Sequence, residues 1–317
     1  MRLTGKVEAA VSGPAAADSG MRHALLLYHT PAERETSLHG FVDSALADRE
    51  PVLVALPPAV RDGYRPSGGP GITTADPGDL GTNPARMMTA LRAFAAEHAG
   101  RRVRYLAEPA WPGRPADELH EVARHEALLN VAFAAADVAI LCLYDGAALP
   151  RSVISHACSA HPLLRQHGQD VANPDYAEPT RYLAELDKPL IPPAGAAALT
   201  YDHDLRPVRA LVAAFAQRSG LSPARRTDLV IAASEVAANT LRHTGGAGVI
   251  SLWATDTEVL CQLDDSGYIT DPLAGHWRHD RNLPGGQGLW LVNQVCDLAE
   301  ISSSSAGTSI RLHMYRD

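Results

Sequence analysis

The stretch SEVAANTLRHTGG, residues 234–246, places a carboxylate and an amide four residues apart. If this stretch is helical, Glu235 and Asn239 lie on one face about one turn apart, so both side chains can point into the same pocket. A carboxylate there can orient or deprotonate an attacking hydroxyl, and an amide oxygen is a ligand that Mg²⁺ accepts. A solvated helical stripe has the same pattern, so the residues downstream have to decide between the two interpretations.

Three further segments of the C-terminal part carry residues suited to nucleotide binding. They are DDSG with Asp265 and Gly267, PGGQGLWLV with Gly286 and Gly288, and AGTSIRL with Gly307 and Thr308. A buried aspartate accepts a hydrogen bond from an exocyclic amine such as that of adenine. Glycines at a helix start let the backbone approach phosphate, where free N–H groups and the positive end of the helix dipole favour an anion. These segments favour a nucleotide site over a solvated stripe.

The elements that precede these segments begin with an alternating pattern from residue 21 onwards. The apolar runs that indicate strands are HALLLYH, PVLVALP, VRYLAEP and DVAILCLYD, and helical periodicity is found in AERETSLHGFVDSALADRE and ADELHEVARHEALLNVAFAAA. Strands that alternate with helices predict an α/β domain with a mostly parallel sheet. Residues 1–20 are expected to form a flexible tail.

A Pro- and Gly-bearing stretch, DKPLIPPAGAAA, indicates a linker between two domains. We expect domains at 21–182 and 201–317, with the connection at 183–200. Beyond it two helices come first, and the second should start with Ser222 as N-cap and Pro223 as its first residue. The alternating runs GVISLWATD and EVLCQLDDSG, the helix GLWLVNQVCD and two closing strands follow. Helices grouped with an antiparallel sheet predict an α+β sandwich.

The composition of the chain argues against several classes of function. Its 317 residues carry a formal net charge of −8, which argues against a protein that holds nucleic acid by neutralising phosphates. The two lysines, Lys6 and Lys188, do not follow a glycine-rich turn, so a Walker A phosphate loop is excluded. The four cysteines form no Cys-x-x-Cys pair, which predicts buried free thiols rather than disulfides or metal ligands. Because the sequence shows neither a signal peptide nor a membrane span, the expected location is the cytoplasm.

The four C-terminal segments, in this order and spacing, resemble the Bergerat-fold (GHKL) ATP-binding family, and within it the anti-sigma-factor serine/threonine kinases (RsbW-like). The resemblance covers about residues 200–317. The matching positions are Glu235 and Asn239 in the N box, Asp265 and Gly267 in the first glycine box, Gly286-Gln287-Gly288-Leu289 in the second, and Gly307-Thr308 at the close. The implied fold is the Bergerat sandwich, and the implied cofactors are ATP and Mg²⁺.

This resemblance also implies a role for individual residues. Asn239 would bind Mg²⁺, Glu235 would be the catalytic base and Asp265 would bind adenine, while the second glycine box would cradle the phosphates. His243, just after the N box, is either a phosphate contact or a helix C-terminal residue that favours the dipole.

The segment from about 269 to 284 would form the ATP lid of such a domain. Kinases of this branch typically use a lid arginine against the terminal phosphate, for which Arg278 and Arg281 are the candidates; a solvated loop charge is the alternative for each. The chain departs from the family pattern after Gly267, where Tyr268 and Ile269 stand in place of a further glycine. This departure indicates a stiffer lid hinge.

Residues 21 to about 180 resemble the MEDS domain, a methanogen/methylotroph DcmR sensory domain. The stretches that carry this resemblance are HALLLYHTPAE, EPVLVALP, NPARMM, EPAWPGR, RHEALLN, CLYD and AHPLL. Domains of this kind look like relatives of the RecA-type ATPases, but here YHTPAERE follows the first strand where a phosphate loop would need glycines and a lysine. The resemblance implies a sensor or protein-binding role for this half, without ATP hydrolysis.

A regulatory pocket in the N-terminal domain is one hypothesis from the strand ends. Ligands of open parallel sheets bind beyond the carboxyl ends of the strands. The polar or aromatic residues at such positions are Glu108, Trp111, Arg114, Tyr144 and Asp145, with His23 or His125 as further candidates. In the alternative interpretation, Glu108 pairs with Arg114 and Trp111 fills a gap in the core.

The resemblances together imply a cytoplasmic regulator of a partner-switching system. The ATP-binding domain would phosphorylate Ser or Thr on an anti-anti-sigma (STAS-type) protein or bind a sigma factor, and the N-terminal domain would respond to a small-molecule signal. A non-catalytic module that holds nucleotide and sequesters its partner is the alternative, and a histidine kinase with His125 as phosphoacceptor is a third. No direct contact with nucleic acid or membrane is expected. Kinases of this branch are commonly dimers, so a homodimer is a further expectation.

Overall fold

The structure is a computed structural model that describes residues 20–57, 71–75, 82–277 and 287–316. Within these residues the chain forms one sheet of seven strands and one of five. The first is mostly parallel and the second is antiparallel, and helices pack on both. The predicted class, an α/β domain followed by an α+β sandwich, is therefore confirmed. No helix in the described parts of the chain combines the length and the apolar character needed to cross a membrane.

The N-terminal sheet has the strand order β3-β2-β4-β5-β1-β6-β7, and only β6 and β7 pair antiparallel. The strands are β1 Arg22–Tyr28, β2 Val52–Ala55, β3 Ile72–Thr74, β4 Val103–Ala107, β5 Val138–Asp145, β6 Leu163–Gln166 and β7 Gln169–Ala172. The helices of this domain are α1 Pro31–Ala47, α2 Pro84–Glu97, α3 Ala116–Ala132, α4 Arg151–Ala160 and α5 Pro179–Leu186.

The central strands β1 and β5 are buried on both faces of the sheet. They pair in parallel from Arg22 opposite Ala139 to Tyr28 opposite Asp145. Leu25 belongs to the core cluster on one face, and Leu26 belongs to the cluster on the other. The continuous apolar runs in HALLLYH and DVAILCLYD are what a sheet covered by helices on both faces requires.

The β6–β7 hairpin at the sheet edge was not predicted from the sequence. Its turn is made by His167 and Gly168, which have φ angles of 50° and 79°. Two successive residues with positive φ are typical of the tight turns that suit the twist of paired strands. The hairpin escaped the sequence analysis because its strands have only four residues each and show no apolar alternation.

The C-terminal sheet is antiparallel throughout, with the order β11-β12-β10-β9-β8. Its strands are β8 Ala197–Tyr201, β9 Gly248–Ala254, β10 Glu258–Asp265, β11 Leu298–Ser304 and β12 Gly307–Tyr315. The helices are α6 Arg206–Arg218, α7 Pro223–Thr244 and α8 Gly288–Val295, and they share one core cluster with the sheet.

Helix α7 positions the N-box residues, and its ends follow from its sequence. Pro223 stands at the start, where its fixed φ suits the first turn and its missing N–H is not needed. Ser222 occupies the N-cap position as predicted, but its side chain makes no capping hydrogen bond. The helix ends at Gly245, whose φ of 63° is the left-handed conformation that glycine adopts without strain.

The connection between the domains is shorter than the predicted 183–200. Residues 183–186 form the end of α5, and 197–200 belong to the edge strand β8, which leaves 187–196. This connection lies along the C-terminal sheet, because Gln262 Nε2 donates to Leu190 O at 2.8 Å and Arg311 donates to Ile191 O. Lys188 in the connection forms ion pairs with Glu300 at 3.0 Å and with Asp117 of α3 at 3.5 Å.

Helix α2 forms a second contact between the domains. Asn83, its N-cap, donates to Asn293 Oδ1 at 3.1 Å, and Arg86 donates to Asn293 O at 3.0 Å and Cys296 O at 2.6 Å. Farther along α2, the Arg92 guanidinium lies 4.1 Å from the centroid of the Trp277 ring. The N-terminal domain thus contacts the C-terminal end of α8 and the segment that was predicted to begin the lid.

Candidate functional site

The first turn of α8 lies against Glu235 and Asn239 of α7. A Cβ atom added to Gly288 would lie 2.9 Å from Glu235 Oε2 and 3.3 Å from Asn239 Nδ2. The absence of a side chain at Gly288 lets the backbone at the helix start come this close to the two polar groups without displacing them. Both side chains are half-buried. Three of the residues singled out in the sequence, from two separate segments, therefore meet at one place.

Asp265 ends β10, and both of its carboxylate oxygens accept hydrogen bonds. Thr240 Oγ1 donates to Oδ2 at 2.7 Å, and Gly267 N donates to Oδ1 at 2.7 Å. Thr240 follows Asn239 directly on α7, which places Asp265 beside the N-box helix. Each carboxylate oxygen has a second lone pair, so the half-buried Asp265 can still accept a hydrogen bond from a ligand.

Thr308 holds the turn that follows Asp265. It stands opposite Asp265 in the β10–β12 register, and its Oγ1 donates to Gly267 O at 2.9 Å. Gly307 before it has a φ of 136°, and a Cβ atom there would lie 2.4 Å from Asp265 O, so a side chain is excluded. Ser303 Oγ lies 2.7 Å from Thr308 Oγ1 and also accepts the backbone N–H of Ile269. The first glycine box and the closing Gly-Thr are thus one hydrogen-bonded unit.

Arg242 is a residue at this site that the sequence analysis missed. Its Nη1 donates to Asn239 Oδ1 at 2.8 Å, so the guanidinium occupies the oxygen expected to bind Mg²⁺. The i, i+3 spacing on α7 was the available signal. Arg242 is exposed, so its side chain can move away from this oxygen without disturbing the hydrophobic core. His243, the other basic residue in the last turn, is also exposed, in line with the helix-dipole alternative.

Part of the predicted site lies outside the described residues, namely Arg278, Arg281 and Gly286. The start of the predicted lid is described up to residue 277. Within it Gly275 approaches α8 closely, because a Cβ atom added there would lie 3.0 Å from Leu289 Cβ and 3.1 Å from Asn293 Nδ2. Leu289 of the second glycine box packs against the C-terminal core. Its side chain therefore holds α8 in place.

A cavity of about 640 Å³ lies between the two domains rather than at the N box. The N-terminal domain lines it with α2, α3 and α5, and the C-terminal domain with residues 268–272, 274, 276 and part of β11. Glu235, Asn239 and Asp265 do not line this cavity. The predicted nucleotide site and the interdomain cavity are therefore lined by different residues.

His125 lies at this cavity, buried in α3. Burial lowers its pKa to about 4, so the imidazole is neutral near pH 7. A phosphoacceptor histidine has to reach the ATP site. Because only 1% of His125 is exposed, this role is not favoured. His276 in the segment leading to the lid is likewise held neutral by burial, which lowers its pKa to about 3.

The residues of the hypothetical sensory pocket have partners of their own. Glu108 accepts from Tyr28 Oη at 2.6 Å and from Arg34 Nη2 at 2.6 Å, so it does not pair with Arg114. Arg114 instead donates to Glu118 Oε2 at 2.9 Å, and its guanidinium lies 4.2 Å from the Trp111 ring. The Glu108–Arg114 pair of the alternative interpretation is therefore not formed.

The two residues at the end of β5 are also engaged. Tyr144 is fully buried in the core, and Asp145 Oδ1 accepts the backbone N–H groups of Ala147 and Ala148, both at 2.9 Å. Such a hydrogen-bonded turn shows what Asp145 does in the fold. A ligand role for the group stays a prediction.

The turn between β1 and α1 has an acidic side chain where a phosphate loop would have a lysine. Thr30 caps α1 by accepting from Glu33 N at 3.2 Å, and Glu33 Oε2 accepts from His29 N at 2.8 Å. Glu33 in the first helical turn thus binds back to the backbone just before the N-cap. This arrangement agrees with the predicted absence of a phosphate loop.

Comparison with known families divides the chain as the two sheets do. Residues 22–162 match the family model of the methanogen/methylotroph DcmR sensory domain, MEDS. Residues 198–314 match the model of the histidine kinase-like ATPase domain. No curated protein matches the chain.

Among solved structures, one similar chain is a crystal structure of the RsbU and RsbW domains of Rv1364c from Mycobacterium tuberculosis. The match has 21% sequence identity and a TM-score of 0.29. The matched region covers 39% of this chain and 34% of the other chain. The similarity therefore spans about a third of the length of that other chain.

Proposed function

This chain carries a MEDS sensory domain followed by a histidine kinase-like ATPase domain, and we propose that it is an ATP-dependent serine/threonine kinase of a partner-switching system. Its substrate would be a hydroxyl of an anti-anti-sigma (STAS-type) protein, and a sigma factor would be a second partner. An ATPase domain implies ATP binding; the serine/threonine chemistry and these partners are our proposal. The N-terminal domain would set the activity through its contacts with α8.

The observation that carries this proposal is the meeting of Glu235, Asn239 and Gly288. A site that only binds nucleotide needs the helix N-terminus and the adenine acceptor, but it does not need a carboxylate beside them. Glu235 Oε2 lies beside Gly288, the first residue of α8, and the start of a helix favours an anion. A carboxylate next to such a position is suited to act as the general base of phosphoryl transfer.

Each residue of the site then has a distinct task. Asp265 would accept the exocyclic amine of adenine, held in place by Thr240 and by the N–H of Gly267. Asn239 would hold Mg²⁺ through Oδ1 after Arg242 leaves it, and the bound ion would neutralise charge on the phosphates. Glu235 would accept the proton of the attacking hydroxyl, and the start of α8 would stabilise the phosphates through its backbone N–H groups.

The kinase proposal is tested by separating nucleotide binding from transfer. Glu235→Gln removes the base but keeps the size and hydrogen-bonding capacity of the side chain. We expect ATP affinity within a few-fold of wild type and a loss of phosphoryl transfer to a STAS-type protein of about a hundredfold or more. Transfer is followed with radiolabelled ATP. A variant that transfers phosphate at the wild-type rate would exclude Glu235 as the base.

A non-catalytic nucleotide-binding module is the second candidate, and one contact favours it. Arg242 engages the Asn239 oxygen that Mg²⁺ would need, so the site as described is not arranged for the metal. The same transfer assay decides between the two. If wild type binds ATP and a partner protein but never passes label to a serine or threonine, the sequestering role stands and the kinase role fails.

The proposed control by the N-terminal domain has a physical route through α8. The helix has eight residues and is about 12 Å long, so its two ends lie close together. Its first turn faces Glu235 and Asn239, and the carbonyls of Asn293 and Cys296 at its other end accept hydrogen bonds from Arg86. A signal that shifts α2 would therefore move the helix that supports the phosphate position.

A further inference from the structure

Four side chains suited to metal binding converge in the N-terminal domain, away from the candidate nucleotide site. His23, Glu126, Cys142 and His161 each offer one ligand atom, and these atoms all lie within 4.8 Å of one another. All four residues are buried, with at most 1% of any of them exposed. Cys142 is a free thiol.

The fold brings these residues together from four separate segments. His23 lies in β1 and Cys142 in the adjacent strand β5, while Glu126 lies in α3 and His161 directly follows α4. The four segments are HALLLYH, RHEALLN, CLYD and AHPLL, each of which is among those that carry the resemblance to the MEDS domain. Neither the proposed kinase chemistry nor the contact with α8 uses any of these four residues.

The spacing of the four atoms is close to that of a tetrahedral metal site. Glu126 Oε2 lies 3.0 Å from His23 Nε2, 3.0 Å from His161 Nε2 and 3.3 Å from Cys142 Sγ, and Cys142 Sγ lies 3.5 Å from His23 Nε2. Tetrahedral zinc with bonds of about 2.0–2.3 Å holds its ligand atoms roughly 3.3–3.8 Å apart. Shifts of a few tenths of an ångström would therefore seat the ion.

Hydrogen bonds at the far side of each imidazole direct its lone pair into the cluster. His161 Nδ1 lies 2.7 Å from Ala157 O, and because a carbonyl only accepts, Nδ1 must carry the proton. His23 Nδ1 lies 3.1 Å from Asn130 Oδ1. The Asn130 amide nitrogen donates to two carbonyls, which fixes its oxygen as the acceptor for His23. In both imidazoles Nε2, the nitrogen that faces the cluster, is therefore the atom available as a metal ligand, and Nδ1 is held by its partner as in metal sites of this kind.

The Cys142 thiol donates to Glu126 Oε2 at 3.3 Å, but other polar atoms of this dry cluster lack a hydrogen-bond partner. Nε2 of His161 and Oε1 of Glu126 are buried and have no hydrogen-bond partner, although His161 Nε2 lies 3.0 Å from Glu126 Oε2. Buried polar atoms left in this state cost free energy. A divalent ion would satisfy the converging lone pairs at once.

We propose that His23, Glu126, Cys142 and His161 bind one divalent transition metal ion of the zinc class. The nitrogen and sulfur donors select such an ion over Mg²⁺ or Ca²⁺, which prefer oxygen. As the metal–sulfur bond forms, the Cys142 thiol proton passes to solvent. The thiolate and the carboxylate then balance the two positive charges, so the buried site is neutral.

This site is closed rather than catalytic, because four protein ligands fill a tetrahedral shell. It ties α3 and α4 to the two central strands of the sheet. On α3, His125 and Arg124 next to Glu126 line the cavity between the domains. Loss of the metal therefore loosens the helix that faces the segment leading to the lid.

The test is the metal content of the full chain, expressed in zinc-supplemented medium and measured by elemental mass spectrometry. Wild type should hold about one zinc ion per chain. Cys142→Ser and His161→Gln should each lower the occupancy at least about tenfold. The matched controls are Cys158→Ser and His156→Gln, two residues of α4 outside the cluster, and both should keep the metal.

A second measurement uses wild-type protein only, so it tests the proposal even if the two variants fail to fold. Wild type produced in cobalt-containing medium should show the visible bands of tetrahedral cobalt and a thiolate-to-cobalt charge-transfer band. Folded wild-type protein without bound transition metal, cobalt-grown protein without the charge-transfer band, or folded Cys142→Ser protein with full metal content would each overturn the proposal.

Discussion

At the scale of single residues, the site depends on the lack of a side chain at Gly288. The first turn of α8 approaches Glu235 Oε2 and Asn239 Nδ2 so closely that a methyl group would displace one or both of these side chains. The proposed phosphate position and the proposed base are therefore set by one glycine. The position of Asp265 also depends on a glycine. Gly307 has no side chain, so β12 can pass close to the carbonyl oxygen of Asp265.

Gly288→Ala tests this close approach. The new Cβ would lie 2.9 Å from Glu235 Oε2 and 3.3 Å from Asn239 Nδ2, so both side chains or the helix must shift. We expect ATP affinity, measured by calorimetry, to fall about tenfold or more, with the fold retained. The control is Gly40→Ala in α1, where nothing lies within 4 Å, and which should leave ATP affinity unchanged. Equal affinity of Gly288→Ala and wild type would place the nucleotide elsewhere.

At the scale of the elements, strand β12 is held to its neighbours by a buried histidine between two glutamates. His313 Nδ1 lies 2.8 Å from Glu258 Oε2 of β10, and its Nε2 lies 3.0 Å from Glu300 Oε2 of β11. Burial lowers the pKa of His313, but the hydrogen bonds and charges of the two glutamates outweigh it and raise the pKa to about 9. The protonated imidazole thus joins three adjacent strands.

This raised pKa predicts how stability depends on pH. The stabilisation is fully present below the ordinary histidine pKa of about 6.5, and it is lost as the pH rises through about 9. The free energy of unfolding should fall by roughly 1–3 kcal/mol between about pH 6 and pH 10 because of this residue. Denaturant unfolding of wild type and His313→Gln over this range measures it. A pH dependence that is equal in the two proteins would contradict the raised pKa.

At the scale of the whole molecule, the two domains share the short helix α8. Its N-terminal turn belongs to the candidate nucleotide site, and its C-terminal carbonyls accept hydrogen bonds from Arg86 of the sensory domain. Coupling between two sites is reciprocal in free energy. A ligand or partner that changes the docking of α2 would therefore change nucleotide affinity, and nucleotide would change the docking by the same factor.

The double variant Asn83→Ala/Arg86→Ala tests this contact. It removes the hydrogen bonds from α2 to Asn293 and Cys296, so the C-terminal turn of α8 and residues 269–277 should exchange amide hydrogens faster, while α6 is unaffected. Hydrogen exchange followed by mass spectrometry measures the difference. Arg181→Ala, which removes an exposed pair with Glu185 in α5, is the control. Unchanged exchange in the double variant would show that α2 does not support α8.

The sequence predicted the elements of the site better than their connections. Alternating runs and helical periodicity identified most of the strands and helices, because those patterns depend on burial of one face or of both. The Glu-x-x-x-Asn pair lies beside Gly288 of the second glycine box, and Gly307 and Gly267 lie beside Asp265. The contact of Arg242 with Asn239 was within reach of the same i, i+3 reasoning.

Other features could not be predicted from local patterns. The proposed metal-binding cluster is made from single residues of β1, α3, β5 and the end of α4, and no pair of them has a spacing typical of metal ligands. The contact of Asn83 with Asn293 spans 210 residues of chain and depends on how the two domains meet. The strands of the β6–β7 hairpin are too short to show a period, so only its His-Gly turn marks it. Each of these depends on tertiary packing.

The central claim, that the C-terminal domain binds ATP with Asp265 as the adenine acceptor, is tested most directly by calorimetric titration with Mg·ATP. Asp265→Asn and Asp264→Asn make the same change in charge at adjacent positions of β10, but Asp264 accepts from Gln262 and Ser309 instead of Thr240. We predict that Asp265→Asn lowers ATP affinity about ten- to hundredfold and that Asp264→Asn has little effect. No affinity of wild type for ATP, or an equal loss in both variants, would contradict the account.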